Sequence, residues 1–193
     1  MTASPPHSPL DPLSAPPPGA LIVTGLPGAG KTTVTLLVAA RYTRSARLDG
    51  DVMADFIVNG RVSVVGEPRD ESRRQLLLRA RNLCSLAGNF AAAGFLPVID
   101  HVVPNRDVLD AMTAWLAPLP VHFVVLAPSL DTCRRRNAER APETQVHYDY
   151  SGLADEMDRS LAGVGWWLDS SAQTPDETAA DVVTHAAAKA ALA

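Results

Sequence analysis

Gly25-Leu26-Pro27-Gly28-Ala29-Gly30-Lys31-Thr32 is the stretch on which the reading of this chain turns. It matches the pattern G-x-x-x-x-G-K-[ST] at every fixed position, and its context is right. The apolar run Ala20-Leu21-Ile22-Val23-Thr24 precedes it, and Thr32 to Tyr42, with helix-like apolar spacing, follows. Glycines at such a turn let successive backbone N–H groups point inward around phosphate oxygens. The helix that follows adds about half a positive charge at its N-terminus. The lysine reaches the β- and γ-phosphates, and the threonine hydroxyl takes a place on Mg²⁺. The chain has two lysines, Lys31 and Lys189, against fifteen arginines, and one of the two stands at the required slot.

The frame around this turn is ordinary. With 193 residues, 47% hydrophobic and 20% charged, the chain suits one domain. A domain of this size buries roughly 70% of its unfolded surface and needs no staples. A formal charge of −4 argues against a general nucleic-acid coat or an anionic-membrane binder. Two cysteines, Cys84 and Cys133, are too few for a disulfide scaffold and are expected to be reduced. No apolar run approaches the roughly 18 residues of a membrane span. The first basic residue is Lys31, inside the glycine-rich turn, so the start lacks the pattern of a signal or transit peptide, and a cytoplasmic location is expected. Residues 1–19 carry seven of the sixteen prolines and read as a disordered tail, a spacer ahead of a domain over residues 20–193.

Strand and helix signals alternate along that domain. Strands are expected at 20–24, 45–49, 95–100, 121–126 and 164–168. Pro97 is an awkward residue inside the third. Residues 52–69, with Gly60, Gly66 and Pro68, read as a short helix and a mobile loop. From Asp70 to Ala93, the residues Leu76, Leu77, Ala80, Leu83, Cys84, Ala87 and Phe90 recur at three and four, the spacing of a long amphipathic helix. Further helices are expected at 107–115, 129–140, 150–161 and 176–190. The alternation implies an α/β fold, with five parallel strands flanked by helices.

The turn and its context resemble the P-loop nucleoside-triphosphate-binding proteins, including the AAA ATPase type, and imply ATP or GTP with Mg²⁺, ATP being favoured by exclusion. A Ras-like GTPase would carry N-K-x-D, and neither lysine lies in one. A motor would usually place a second acid after Asp100, where this chain has His101. The small kinases remain, and they imply a nucleoside-monophosphate-kinase-like fold with a helical lid. Leu48-Asp49-Gly50-Asp51, following the turn and Thr33, is similar to the L-D-G-D of adenylylsulfate kinases and gluconate kinases. Its spacing also resembles that of chloramphenicol phosphotransferase-like and zeta-toxin-like proteins. Strand alternation puts Asp49 and Asp51 on one side and does not choose between them. The resemblance implies Asp51 as the base that accepts the acceptor's hydroxyl proton. It further implies phosphate contacts from Gly25, Leu26, Pro27, Gly28, Ala29, Gly30, Lys31, Thr32 and Thr33. Val98-Ile99-Asp100 has the form of a Walker B strand end, so Thr32 and Asp100 are the implied Mg²⁺ residues.

Four arginines crowd Arg134-Arg135-Arg136-Asn137-Ala138-Glu139-Arg140. On a continuous helix Arg136 and Arg140 share one face, and Arg135 can pair with Glu139. R-x-x-x-R here is similar to the lid arginines of adenylate-kinase-like folds, which steady charge on the transferring phosphoryl group. The polar turn 169–175 often borders adenine in this group, which makes Gln173 and Thr174 adenine-side candidates, although a helix cap accounts for them equally well. The expected activity is transfer of the γ-phosphate of MgATP to a hydroxyl of a small molecule: an antibiotic, a sugar or a nucleotide-like metabolite. The competing reading is a nucleotide-dependent switch or partner-dependent ATPase recruited through the proline-rich tail.

Overall fold

The computed structural model describes Leu13 and residues 18–192. The proline-rich segment read as a disordered tail lies, apart from Leu13, Pro18 and Gly19, outside the described residues.

Five strands form one sheet: β1 (Ala20–Gly25), β2 (Ser45–Asp49), β3 (Leu96–Asp100), β4 (Val121–Leu126) and β5 (Trp166–Leu168). Their order is β2-β3-β1-β4-β5 and every pairing is parallel. Parallel neighbours need long crossovers, which are made by α1 (Lys31–Ala40), α2 (Gly50–Asp55), α3 (Arg69–Ala92), α4 (Arg106–Leu116), α5 (Leu130–Ala138) and α6 (Ser151–Leu161), while α7 (Pro175–Lys189) follows the last strand. Helix α1 packs on α7, and α3 on α4. The expected α/β architecture is therefore the observed one.

The three inner strands β1, β3 and β4 are buried along their whole length, whereas the edge strands β2 and β5 are partly open. Full burial on both faces explains why the inner strands read as unbroken apolar runs. Ile22, Ile99, Phe123 and Leu126 are among the largest side chains fully withdrawn from water, each worth about 1.5–3 kcal/mol of burial. Pro97 is tolerated because pairing of β3 with β1 starts one residue later, at Val98 opposite Leu21. The chain leaves β1 toward β2 on one side and later crosses to β4 on the other. The carboxyl end of β1 is thus a topological switch point, where open α/β sheets bind ligands.

Three expected elements end elsewhere. The short helix starts at Gly50, immediately after β2, so Asp51 belongs to a helix and not to a strand. The segment after it is tied down by α3: Gln75 accepts from Val62 N at 2.8 Å and donates to Gly60 O at 2.8 Å. Ser72 donates to Ser63 O and Val64 O at 2.7 and 2.8 Å. Helix α5 stops at Ala138, not at Arg140. Pro142 disfavours helical backbone at Ala141, and the Asn137 amide turns the chain back by bonding both Val146 N and Val146 O, at 3.0 and 2.9 Å. Arg136 and Arg140 consequently do not share a helix face. Strand β5 spans Trp166–Leu168 only, so Val164 and Gly165 precede it.

Candidate active site

The loop between β1 and α1 is closed by an Ala29 N–H to Leu26 O bond of 3.0 Å. Gly30, at φ 95°, is the N-cap of α1, and no side chain caps that end, so its first N–H groups keep their positive pole toward the loop. Gly28 sits at φ 83°, and a Cβ there would lie 2.1 Å from Cys133 O of α5. Only glycine fits that approach. The Lys31 ammonium donates to Gly25 O and Leu26 O at 3.0 and 3.1 Å. Thr32 and Thr33 are exposed on the first turn of α1.

Beside the loop, the ends of β2 and β3 bring Asp49 and Asp100 into register. One nitrogen of Arg47, Nη2, lies 2.7 Å from Oδ2 of each, while its Nε donates to Thr35 Oγ1 at 2.9 Å. The other Asp49 oxygen accepts from Asp51 N at 2.8 Å and Val52 N at 3.3 Å, capping α2. Asp49 is therefore fully engaged. Asp51 accepts no hydrogen bond from the described residues, and its side chain is 90% exposed. Tertiary structure separates the two acids that strand alternation left equivalent.

Lys31 gathers the charges of the site. Burial lowers its pKa most. Asp100 and Asp51 then push it up, and Arg140 pushes it down. Arg140, beyond the end of α5, thus adds its positive charge to those acting on the loop lysine. Burial, with the cations Arg79 and Lys31 adding and Asp49 opposing, pushes the His101 imidazole down to about 3. Its Nε2 is buried without a partner among the described residues. Gly50 leaves room for this ring, since a Cβ there would lie 2.5 Å from Nδ1.

Arg136 goes elsewhere: its Nη2 donates to Ser170 O and Gln173 O at 2.9 and 3.3 Å, tying α5 to the loop between β5 and α7. Thr174 is engaged in a capping box with Glu177, accepting from Glu177 N at 3.2 Å while its own N donates to the Glu177 carboxylate at 2.8 Å. Gln173 donates to Asp181 at 2.6 Å and accepts from Thr178 at 3.1 Å. Both side chains are occupied by α7. Arg135 and Glu139 stand 4.0 Å apart on the exposed face.

No three His, Cys, Asp or Glu residues among the described ones are grouped to hold a metal by themselves. A cation here would need oxygens from a ligand besides the Thr32 hydroxyl and the Asp100 carboxylate. That donor set fits Mg²⁺, which keeps few protein ligands and shares phosphate oxygens. Two residues of the site escaped the sequence reading. Arg47 was visible as R-x-D on a strand, two positions from Asp49 and so on the same side. Arg79 breaks the apolar stripe of α3 between Leu76 and Leu83, and it is 7% exposed.

Comparison with known proteins agrees with this geometry. The model of an AAA domain family, AAA_33, matches residues 21–159. A bifunctional enzyme CysN/CysC of Rhodopirellula baltica is 26% identical over 122 residues, 63% of this chain and 18% of that protein. The chain thus spans under a fifth of that relative's length. A sugar kinase from Janibacter sp. HTCC2649 superposes with a TM-score of 0.64 at 21% identity, covering 89% of this chain and 96% of that one. The APS kinase CysC of Mycobacterium tuberculosis, in complex with AMPPNP and APS, gives 0.63 at 21% identity, with 88% and 98% covered. At such identities the likeness establishes the shared fold. No described helix is long and apolar enough to cross a membrane.

Proposed function

Because this chain belongs to the AAA domain family AAA_33, we propose that it is an ATP-dependent phosphotransferase that moves the γ-phosphate of MgATP to a hydroxyl of a small molecule. The observation that carries this reading is the carboxylate of Asp51. It is free of the capping and pairing that occupy Asp49, and its charge acts on the loop lysine. A nucleotide switch needs no such acid.

In this proposal the free N–H groups of the loop between Gly25 and Thr33 hold the phosphates, and Lys31 swings from the carbonyls of Gly25 and Leu26 to the β- and γ-oxygens. Thr32 and Asp100 would hold Mg²⁺, which supplies neutralisation of phosphate charge. Arg47 fixes Asp100 between β2 and β3. The acceptor oxygen forms its bond to the γ-phosphorus as the bond to the β–γ bridging oxygen breaks. Asp51 takes the hydroxyl proton, and ADP keeps the bridging oxygen. Arg140 stabilises the charge spread over the γ-oxygens. Arg136 steadies the loop 169–174, on the side where Gln173 and Thr174 would border the base through backbone rather than side chain.

The test has two steps. Calorimetric titration with MgATP is expected to show binding that Lys31→Ala weakens. ADP release is then followed against a library of hydroxylated metabolites and antibiotics, and acceptor-dependent ADP release is expected. Absence of MgATP binding, or ADP release at one rate with or without every acceptor, overturns the proposal.

A further inference from the structure

Helix α5 leads from the phosphate loop to Arg140. Near its start, the Cys133 carbonyl crowds Gly28 of that loop. At its end Asn137 is buried, and its side-chain amide exchanges two bonds with the backbone of one distant residue. Oδ1 accepts from Val146 N at 3.0 Å, and Nδ2 donates to Val146 O at 2.9 Å. An amide has one acceptor and a two-donor group, so it can pair with a peptide unit as a strand neighbour would. From the other end, Gln145 Nε2 donates to Ala138 O at 3.1 Å and to Arg140 O at 2.8 Å. Between these ties lies a single 3₁₀ turn, Pro142–Thr144, where Thr144 N and Oγ1 donate to Ala141 O at 2.8 and 2.9 Å. Val146 packs against the core. The loop 138–146 is therefore closed on itself at both ends. Ala138, Glu139 and Ala141 to Thr144 are exposed, and Arg140 among them is half-buried. The other arginines of the cluster have partners: Arg134 donates to Ser151, Arg135 stands by Glu139, and Arg136 holds the carbonyls of Ser170 and Gln173. The Arg140 guanidinium has neither a hydrogen bond nor an ion pair with any described residue, and its charge acts on Lys31.

We propose that Asn137 and Gln145 are positioning residues: their amides close residues 138–146 into a preformed arm that holds the backbone at Arg140 in place before nucleotide arrives. Only the free guanidinium then has to turn onto the γ-oxygens. This rests on the phosphotransferase reading and adds how its lid works. A loop that folded over the substrate would have to lose the conformational freedom of nine residues during the reaction, whereas a closed loop has lost it on folding. Because α5 is itself seated on the phosphate loop at Gly28, the arm and the phosphates share one frame.

The closure is read first, without turnover. In the full-length, nucleotide-free protein, amide hydrogen exchange at Val146 is expected to be at least about tenfold slower than in an unstructured peptide. Asn137→Ala should remove that protection. A wild-type Val146 amide that exchanges like a free peptide's overturns the proposal. Positioning is read next, with MgATP and the acceptor returned by the ADP-release screen. Asn137→Ala and Gln145→Ala should each lower kcat about ten- to a hundredfold, the effect of a misplaced catalytic group, with KM for MgATP nearly unchanged. Gln145→Glu keeps the shape, loses the donor and should fail likewise. Gln145 is only half-buried, so its variants remain informative if Asn137→Ala does not fold. In an Arg140→Ala background neither substitution should lower kcat further, because each acts through that guanidinium. Equal losses in both backgrounds, the mark of a merely structural role, overturn the proposal, as does wild-type kcat in Gln145→Ala. If no acceptor supports turnover, the phosphotransferase reading falls and the catalytic purpose of the arm falls with it, whereas protection at Val146 is untouched by that outcome.

Discussion

The Nη2 atom of Arg47 lies 2.7 Å from Oδ2 of Asp100. The same nitrogen meets Asp49 at 2.7 Å, so one guanidinium bridges two carboxylates that parallel register places side by side. Arg47→Met leaves both acids facing each other without their cation. The side chain is one-fifth exposed, which moderates the penalty to about 2–3 kcal/mol, below that of a fully buried pair. Urea unfolding measures it, and Arg47→Lys, with a single point charge, should recover only part of the loss.

Asp49 and Asp51 are two residues apart and should fail in different ways. Asp51→Asn is expected to lower phosphoryl transfer by about 10²–10⁴, with unfolding stability and MgATP affinity nearly unchanged. Asp49→Ala removes the cap of α2 and one partner of Arg47, and it should cost at least about 1 kcal/mol of stability. Measuring turnover and denaturation midpoints on both variants checks the division. A stable Asp49→Ala protein would contradict it.

Gly28→Ala tests the contact between the loop and α5. The left-handed backbone alone costs a non-glycine residue about 1–3 kcal/mol. The added methyl also meets Cys133 O. Weaker MgATP binding should accompany a lower melting temperature, because the loop has to shift before the methyl can be housed. Gly60→Ala is the control: it has a positive φ but nothing within 4 Å of the new carbon.

Cys84 gives a pH-dependent signature. Burial pushes its thiol up to about 12 from the usual value near 9. Below pH 9 both folded and unfolded chains keep the proton and the thiol adds no slope. As pH rises from 9 toward 12, the unfolded chain loses the proton first, and stability should fall by up to about 1.4 kcal/mol per pH unit. Cys84→Ala should flatten that part of the wild-type profile between pH 9 and 10.5. A thiol reagent at pH 8 should label Cys84 only after unfolding.

The turn at residues 25–32 could be read from sequence because each of its features is local. A glycine pattern, one lysine and one threonine, an apolar run before and a helix after are all properties of adjacent residues. The unbroken apolar runs of β1 and β4 and the periodic stripe of α3 were legible for the same reason, and they carried the fold class with them. Asp100 could be singled out as the acidic end of an apolar run.

Other parts of the site were invisible because they depend on where distant segments meet. The spacing alone puts Arg140 on a helix with Arg136, but the Asn137 side chain closes on Val146 nine residues away and ends that helix first. The cap of α7 accounts for the Thr174 side chain, and bonds to Asp181 and Thr178 account for that of Gln173. The segment after Asp51 carried no periodic signal because its order comes from Ser72 and Gln75 on α3, through bonds to its backbone.

What the sequence by itself determined is the parallel α/β scaffold and the glycine-rich turn between β1 and α1, since periodicity and turn chemistry act between near neighbours and survive without knowledge of packing. What only the tertiary structure decided is which acid is left free and which cation faces it. Asp49 is consumed by capping α2 and pairing with Arg47. Asp51 is left open beside Arg79, a residue 28 positions later in sequence that α3 carries into the site. Charges act through space, so their partners are chosen by the fold and not by the order of the chain.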